Sequence, residues 1–266
     1  MKSAVTISLV PELRGGPWIL WDDLADSCRT AAELGFDGVE LFTSGPSAEG
    51  LDEILKETGL SLAAVGTGAG KVMHGLTLVD PDPAQRKKAK EFVKSMIDFG
   101  AAHQAPAIIG SMQGMHDGDR DASLKLLAES LEELGEYAHK HLVSLIYEPL
   151  NRYETNLFNR LAEAAEFIES LSTKGILLLA DLFHMNIEEV DIAEAIRDVS
   201  ELIGHVHFAD TNRRAIGMGH LDVPPIAQAL KDIPYEYFVS AEAFYYPDPH
   251  FAAEQTIKSF KKYLFD

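Results

Sequence analysis

Four short strand-like runs in the second half of the chain each end on a residue able to bind a metal. Leu142 to Tyr147 ends on Glu148, Ile176 to Ala180 on Asp181, Ile203 to Val206 on His207, and Tyr237 to Ala241 on Glu242. Short apolar runs bounded by polar residues read as buried strands. Pro149 closes the first of them, because proline cannot donate to a ladder and restricts the residue before it. A ligand-type side chain recurring at the same end of successive strands demands a fold in which those ends converge.

The rest of the chain alternates in the same way. Earlier strands are predicted at Val5–Val10, Gly38–Phe42, Leu60–Val65 and Ala107–Gly110. Between and after them, helices are predicted from Asp22 or Asp23 to Gly35, then over Ser47–Thr58, Asp82–His103, Asp121–His141 and Leu157–Leu171. Three more follow at Ile187–Leu202, Pro225–Leu230 and Phe251–Tyr263. Strand and helix alternation implies parallel strands covered by helices. Eight such units in 266 residues give an α/β fold, a (β/α)8 TIM barrel forming a single domain over residues 1–266, with its chemistry at the carboxyl ends of the strands. A doubly wound open sheet would gather its site at one switch point, whereas here four consecutive strands carry polar ends.

Charge narrows the partners. The chain has 42 acidic and 23 basic side chains, a net charge of -19, and such a surface repels polyanions, so no nucleic-acid partner is expected. Cys28 is the only cysteine, which rules out an internal disulfide and fits a reducing compartment. No apolar run reaches the length of a membrane span, and the apolar stretch after Met1 is too short for a signal peptide, so no membrane partner and a cytoplasmic location are expected.

Glu148, Asp181, His207 and Glu242 offer three carboxylates and one imidazole. Brought together they would repel one another without a cation, so one divalent metal ion is expected there. Oxygen-rich ligation with one nitrogen suits Mn²⁺, Mg²⁺ or Co²⁺, with Zn²⁺ less natural. Glu40, inside the second strand, is read either as a polar group within the barrel or as an ion-pair partner of a nearby lysine or arginine. The loop Gly66-Thr-Gly-Ala-Gly70 lacks the helix that a dinucleotide fingerprint needs directly after it, since none is predicted before Pro81 or Pro83. It is read as an active-site loop with Lys71 or His74 near the substrate.

The motif Glu148-Pro-Leu-Asn-Arg-Tyr-Glu154-Thr-Asn resembles the strand-five motif of the ketose 3-epimerases, the D-tagatose and D-psicose (allulose) group within the xylose-isomerase-like superfamily. Asp181-Leu-Phe-His184 resembles their strand-six motif, His205-Val-His207-Phe-Ala-Asp210-x-x-Arg213 their strand-seven motif, and Gly217 to Asp222 the loop that follows. The resemblance implies that Glu148, Asp181, His207 and Glu242 hold the ion and that Glu154, His184 and Arg213 contact a sugar. It implies that Glu148 and Glu242 are the catalytic pair, inverting C3 of a ketose by proton transfer through an ene-diolate. It also implies a homodimer or homotetramer.

An aldose–ketose isomerase of the hydroxypyruvate or rhamnose type and a keto-inositol dehydratase-like lyase are the alternatives. The amino-terminal loop up to Trp18, the glycine-rich loop and Ala243 depart from the group's pattern. Lys71, Arg14 and Arg120 are therefore read as groups that could meet a charged substituent at the far end of the sugar.

Overall fold

The computed structural model describes residues 1–265. Among them, eight parallel strands close on themselves in sequence order. They are β1 (Lys2–Ser8), β2 (Gly38–Phe42), β3 (Ser61–Gly66), β4 (Ala107–Ile109), β5 (Leu145–Tyr147), β6 (Ile176–Asp181), β7 (Ile203–His207) and β8 (Phe238–Ser240). Closure comes from β1 against β8, with Lys2 beside Phe238 and Ser3 beside Val239. The expected barrel and its single domain are therefore observed.

The outer layer begins with α1 (Leu24–Leu34), α2 (Leu51–Thr58), α3 (Ala69–His74), α4 (Pro83–Ala101) and α5 (Arg120–Lys140). It continues with α6 (Leu161–Glu169), α7 (Leu182–Glu188), α8 (Ile192–Asp198), α9 (Val223–Asp232) and α10 (Pro249–Tyr263). Aspartates start several of these helices by accepting from orphan amides: Asp23 from Asp26, Asp119 from Ala122 and Asp248 from Phe251. Gly35, at φ 88°, supplies the left-handed residue that closes α1. Among the described residues, no helix is long and apolar enough to cross a membrane.

Three local expectations give way. Leu142 does not join β5. The chain must reverse after α5, and Leu142 does so at φ 60° with its side chain almost wholly exposed. The glycine-rich loop turns into α3 well before Pro81, its closing residue Gly75 taking the left-handed conformation. The helix expected over Ile187–Leu202 is two helices and a 3-10 turn, because Asp181 already starts α7 at Leu182 and Asp191 starts α8.

The apolar core has three parts, one of them the small cluster of Val10, Trp18, Trp21, Phe42 and Ala69. The largest packs helices onto the outside of the sheet, and another, Ala64, Ile108, Ile146 and Leu179, fills the barrel interior. Two register shifts interrupt the ladders. Val39 and Glu40 on β2 pair with Leu62 and Ala64, leaving Ala63 extra. Leu178 and Leu179 on β6 pair with Ile203 and His205, leaving Gly204 extra. Such bulges re-aim neighbouring side chains, and here Glu40 and His205 both turn inward and are buried.

Helix α5 approaches β6 through glycine. A β-carbon at Gly135 would lie 2.7 Å from the Ile176 side chain, and one at Gly175 would land on the carbonyl oxygen of Gly135. Backbone cannot yield as a flexible side chain does, so Gly175→Ala should lower unfolding free energy by about 2–3 kcal/mol, an overpacking cost. Urea denaturation in the presence of chelator measures this, and an unchanged midpoint would show that the contact relaxes freely.

Candidate metal centre

Barrel closure carries the four strand ends to one place. One ligand atom each from Glu148, Asp181, His207 and Glu242 lies within 4.8 Å of all the others. Neighbouring strands do part of this directly, since Asp181 and His207 are partners in the β6–β7 register and His207 pairs with Ser240 on β8. His207 Nδ1 lies 3.3 Å from Asp181 Oδ2, 3.8 Å from Glu148 Oε1 and 3.9 Å from Glu242 Oε2.

Each donor is held by a second contact. Asp181 Oδ1 accepts from the Phe183 and His184 amides at the start of α7, which leaves Oδ2 facing the cluster. His207 Nε2 lies 3.1 Å from Glu40 Oε1, inside the barrel. The Glu242 carboxylate is paired with the Arg213 guanidinium. Glu148 packs over Gly110, where any β-carbon would collide with its Oε2.

Electrostatics marks the same point. Burial, then the neighbouring Glu242, push the Glu148 carboxyl well above the usual carboxylate range. Burial would raise Asp181 too, but His184, His207 and Arg213 hold it below its ordinary value. Burial opposes charge on His207, yet Glu40 and Asp181 raise it well above the ordinary imidazole value. Glu148 Oε1 is buried with no hydrogen-bond partner. An orphaned buried oxygen, two further carboxylates and an imidazole nitrogen fit a divalent cation.

The three residues expected to meet a sugar surround this cluster. Arg213 sits at φ 55°, a backbone state uncommon outside glycine, held by its amide on the Asp210 carbonyl and its carbonyl on the Phe244 amide. Its guanidinium lies 3.6 Å from Glu154 and stacks over Phe183. His184 Nδ1 accepts from the Asn151 backbone amide at 3.2 Å and lies 2.7 Å from the Asn151 side-chain nitrogen. The proton is thereby placed on Nε2, which is buried without a partner 3.7 Å from Glu148 Oε1.

Asn151, Gly110 and the Glu40–His205 pair were not identified as site residues from sequence. Asn151 lies inside the strand-five motif, and a carboxamide three before Glu154 was the available signal.

A cavity of about 220 Å³ opens above the cluster. Its outer wall is Pro17, Trp18, Phe42, Val72 and Leu150, so the amino-terminal and glycine-rich loops do line it. The basic residues expected there do not. Lys71, His74, Arg14 and Arg120 are outside its lining, and Arg120 instead donates to the Leu157 carbonyl and stacks on Phe158. Among the described residues, Arg213 is the one arginine or lysine that lines it.

A family model described as a xylose isomerase-like TIM barrel matches residues 28–263. A D-psicose 3-epimerase of Enterocloster bolteae is 31% identical over 229 residues, covering 79% of this chain and 73% of that protein. A 3-dehydro-D-guloside 4-epimerase of Escherichia coli is 29% identical over 237 residues, covering 83% and 87%. The structure of a D-psicose 3-epimerase from Clostridium cellulolyticum H10 superposes with a TM-score of 0.81 at 23% identity, covering both chains completely.

Replacing Asp181 by asparagine and His207 by alanine together should abolish stoichiometric uptake of a divalent ion, read by elemental analysis after Mn²⁺ loading and desalting. Wild-type occupancy in that double variant would remove these residues from the site.

Proposed function

Because the chain belongs to the xylose isomerase-like TIM barrel family, we propose that it is a divalent-metal-dependent epimerase that inverts C3 of a neutral ketose or closely related keto-sugar. The observation that carries this reading is the placement of Glu148 and Glu242. They follow β5 and β8, with β6 and β7 between them, and both belong to the cluster that can hold an ion and line the cavity above it. A substrate lying between them meets one carboxylate on each side.

Glu148, Asp181, His207 and Glu242 would hold the ion, Mn²⁺ before Mg²⁺ or Co²⁺, which supplies Lewis-acid polarisation of the substrate carbonyl. One glutamate takes the C3 proton, leaving an ene-diolate, and the other returns a proton to the opposite face. The substrate's configuration decides which acts first. Negative charge developing on the sugar oxygens falls near the Arg213 guanidinium and the free Nε2–H of His184. Glu154, held by Asn151 and beside Arg213, accepts from a sugar hydroxyl. The apolar wall around Trp18 and Phe42 keeps water from the exposed carbanion.

Neutrality of the substrate follows from the lining. Arg213 is already matched by Glu242 and Glu154, and a phosphate would enter a cavity dominated by carboxylates. Identity to the guloside epimerase supports a second reading, in which the keto group lies at C3 and the same pair inverts C4. Assembly as a homodimer or homotetramer belongs to the proposal as well. The exposed Phe244, Tyr246 and Phe251 offer apolar surface for it.

Incubating the Mn²⁺-loaded protein in D₂O with ketoses, a 3-keto glycoside and a ketose phosphate separates these readings by NMR. Deuterium should enter C3 of a free ketose and leave C1 unlabelled, with the phosphate turned over at least tenfold more slowly. Exchange at C4 of the keto glycoside alone would favour the second reading. Label at C1, or aldose formation, would make the protein an isomerase.

A further inference from the structure

We infer that Glu40 is a positioning residue that fixes the tautomer of His207, and that His205 in turn fixes Glu40. The inference rests on the reading of Glu148, Asp181, His207 and Glu242 as an ion site. Glu40 lies on β2 and both histidines on β7, so the three side chains meet across the barrel interior rather than along one element. All three are buried.

An ionised carboxylate only accepts hydrogen bonds. Glu40 Oε2 lies 2.8 Å from His205 Nε2, and Glu40 Oε1 lies 3.1 Å from His207 Nε2, both ordinary hydrogen-bond lengths. Each histidine must therefore carry its proton on Nε2. For a neutral His207, the form an ion requires, this leaves the Nδ1 lone pair free on the side where Asp181, Glu148 and Glu242 converge. Rotating the ring or moving the proton would lose the Glu40 bond and leave a buried carboxylate oxygen unmatched, which is costly in the barrel interior. His205 supplies the complement. By donating to Oε2 it occupies the second oxygen and stops the carboxylate from turning away from His207. The bulges at Ala63 and Gly204 lie beside these residues in the ladders and aim them at one another.

The same three residues also cluster closely enough to ligate an ion of their own. They offer three donors, with two carboxylate–imidazole pairs already at hydrogen-bond distance, so proton-mediated bonding accounts for the geometry. Ion stoichiometry distinguishes the two arrangements.

The test combines Mn²⁺ affinity, measured by electron paramagnetic resonance, with long-range ¹H–¹⁵N spectra of the histidines in the diamagnetic Mg²⁺-loaded protein. In the wild type, one ion should bind per chain, and His205 and His207 should both be protonated at Nε2. Glu40→Gln, which presents an N–H to one of the two donors, should weaken Mn²⁺ binding on the order of 10–100-fold, the range for loss of a partner behind a metal ligand. His205→Leu should weaken it severalfold, whereas His205→Gln, which restores a donor at the Nε2 position, should stay within twofold of wild type. Urea unfolding of the metal-free variants tells a damaged barrel from lost control of the ring. If Glu40→Gln does not fold, the two His205 variants and the wild-type spectra still decide.

Affinity in Glu40→Gln within twofold of wild type, Nδ1 protonation of His207 in the loaded wild type, or equal losses in both His205 variants would each overturn the inference alone. Two ions per chain, one of them lost in Glu40→Gln, would replace it with a second metal site. A wild-type chain that binds no divalent ion would overturn the site and the inference together.

Discussion

Three carboxylates and an imidazole converge within a few ångströms in a cavity largely withdrawn from water, where like charges repel far more strongly than they do in solvent. Much of the surrounding architecture answers that repulsion. Arg213 is bent into a left-handed backbone state to place its guanidinium on Glu242, and Asp181 spends one oxygen on the amides that open α7. His184 and His207 bring imidazoles against the remaining oxygens. These contacts leave Glu148, its carboxyl pushed well above the usual carboxylate range by burial and by Glu242, with an unmatched oxygen. The residual imbalance is what gives the cluster its appetite for a divalent cation, and it explains why affinity and folding should be linked in this protein.

The barrel was legible because its signals are local. Alternating strands and helices, and a ligand-type residue at the end of each of four strands, can be read within windows of a dozen residues. Parallel closure then does the long-range work, since it places every strand's carboxyl end on one rim. The roles assigned to the four strand-end residues needed the motif around Glu148 and Asp181 as well, because a glutamate ending a strand is in itself an ordinary sight.

What sequence reading missed depends on contacts across the barrel or on backbone detail. Glu40 was open to two interpretations because its partners, His205 and His207, are 165 and 167 residues away, on a strand three places round the barrel. Gly110 carries no chemistry of its own, and its role appears only when a side chain there is seen to strike Glu148. Residues 187–202 have continuous helical character, yet Asp181 and Asp191 compete to start helices and the segment divides. Lys71, His74, Arg14 and Arg120 show the reverse failure. Positive charge near a site in sequence does not place it in the cavity when the backbone turns the side chain elsewhere.

Trp18 and Trp21 are the chain's two tryptophans, with ring centres 5.6 Å apart, and Trp18 stacks at 4.1 Å on Phe42 in the cavity wall. All indole emission of the protein therefore originates in the cavity wall at Trp18 or in Trp21 packed directly behind it, and the two rings share their excitation. Natural fluorescence in this molecule is a local optical probe of what enters the cavity, sensitive to ligand arrival and nearly blind to events on the far side of the barrel.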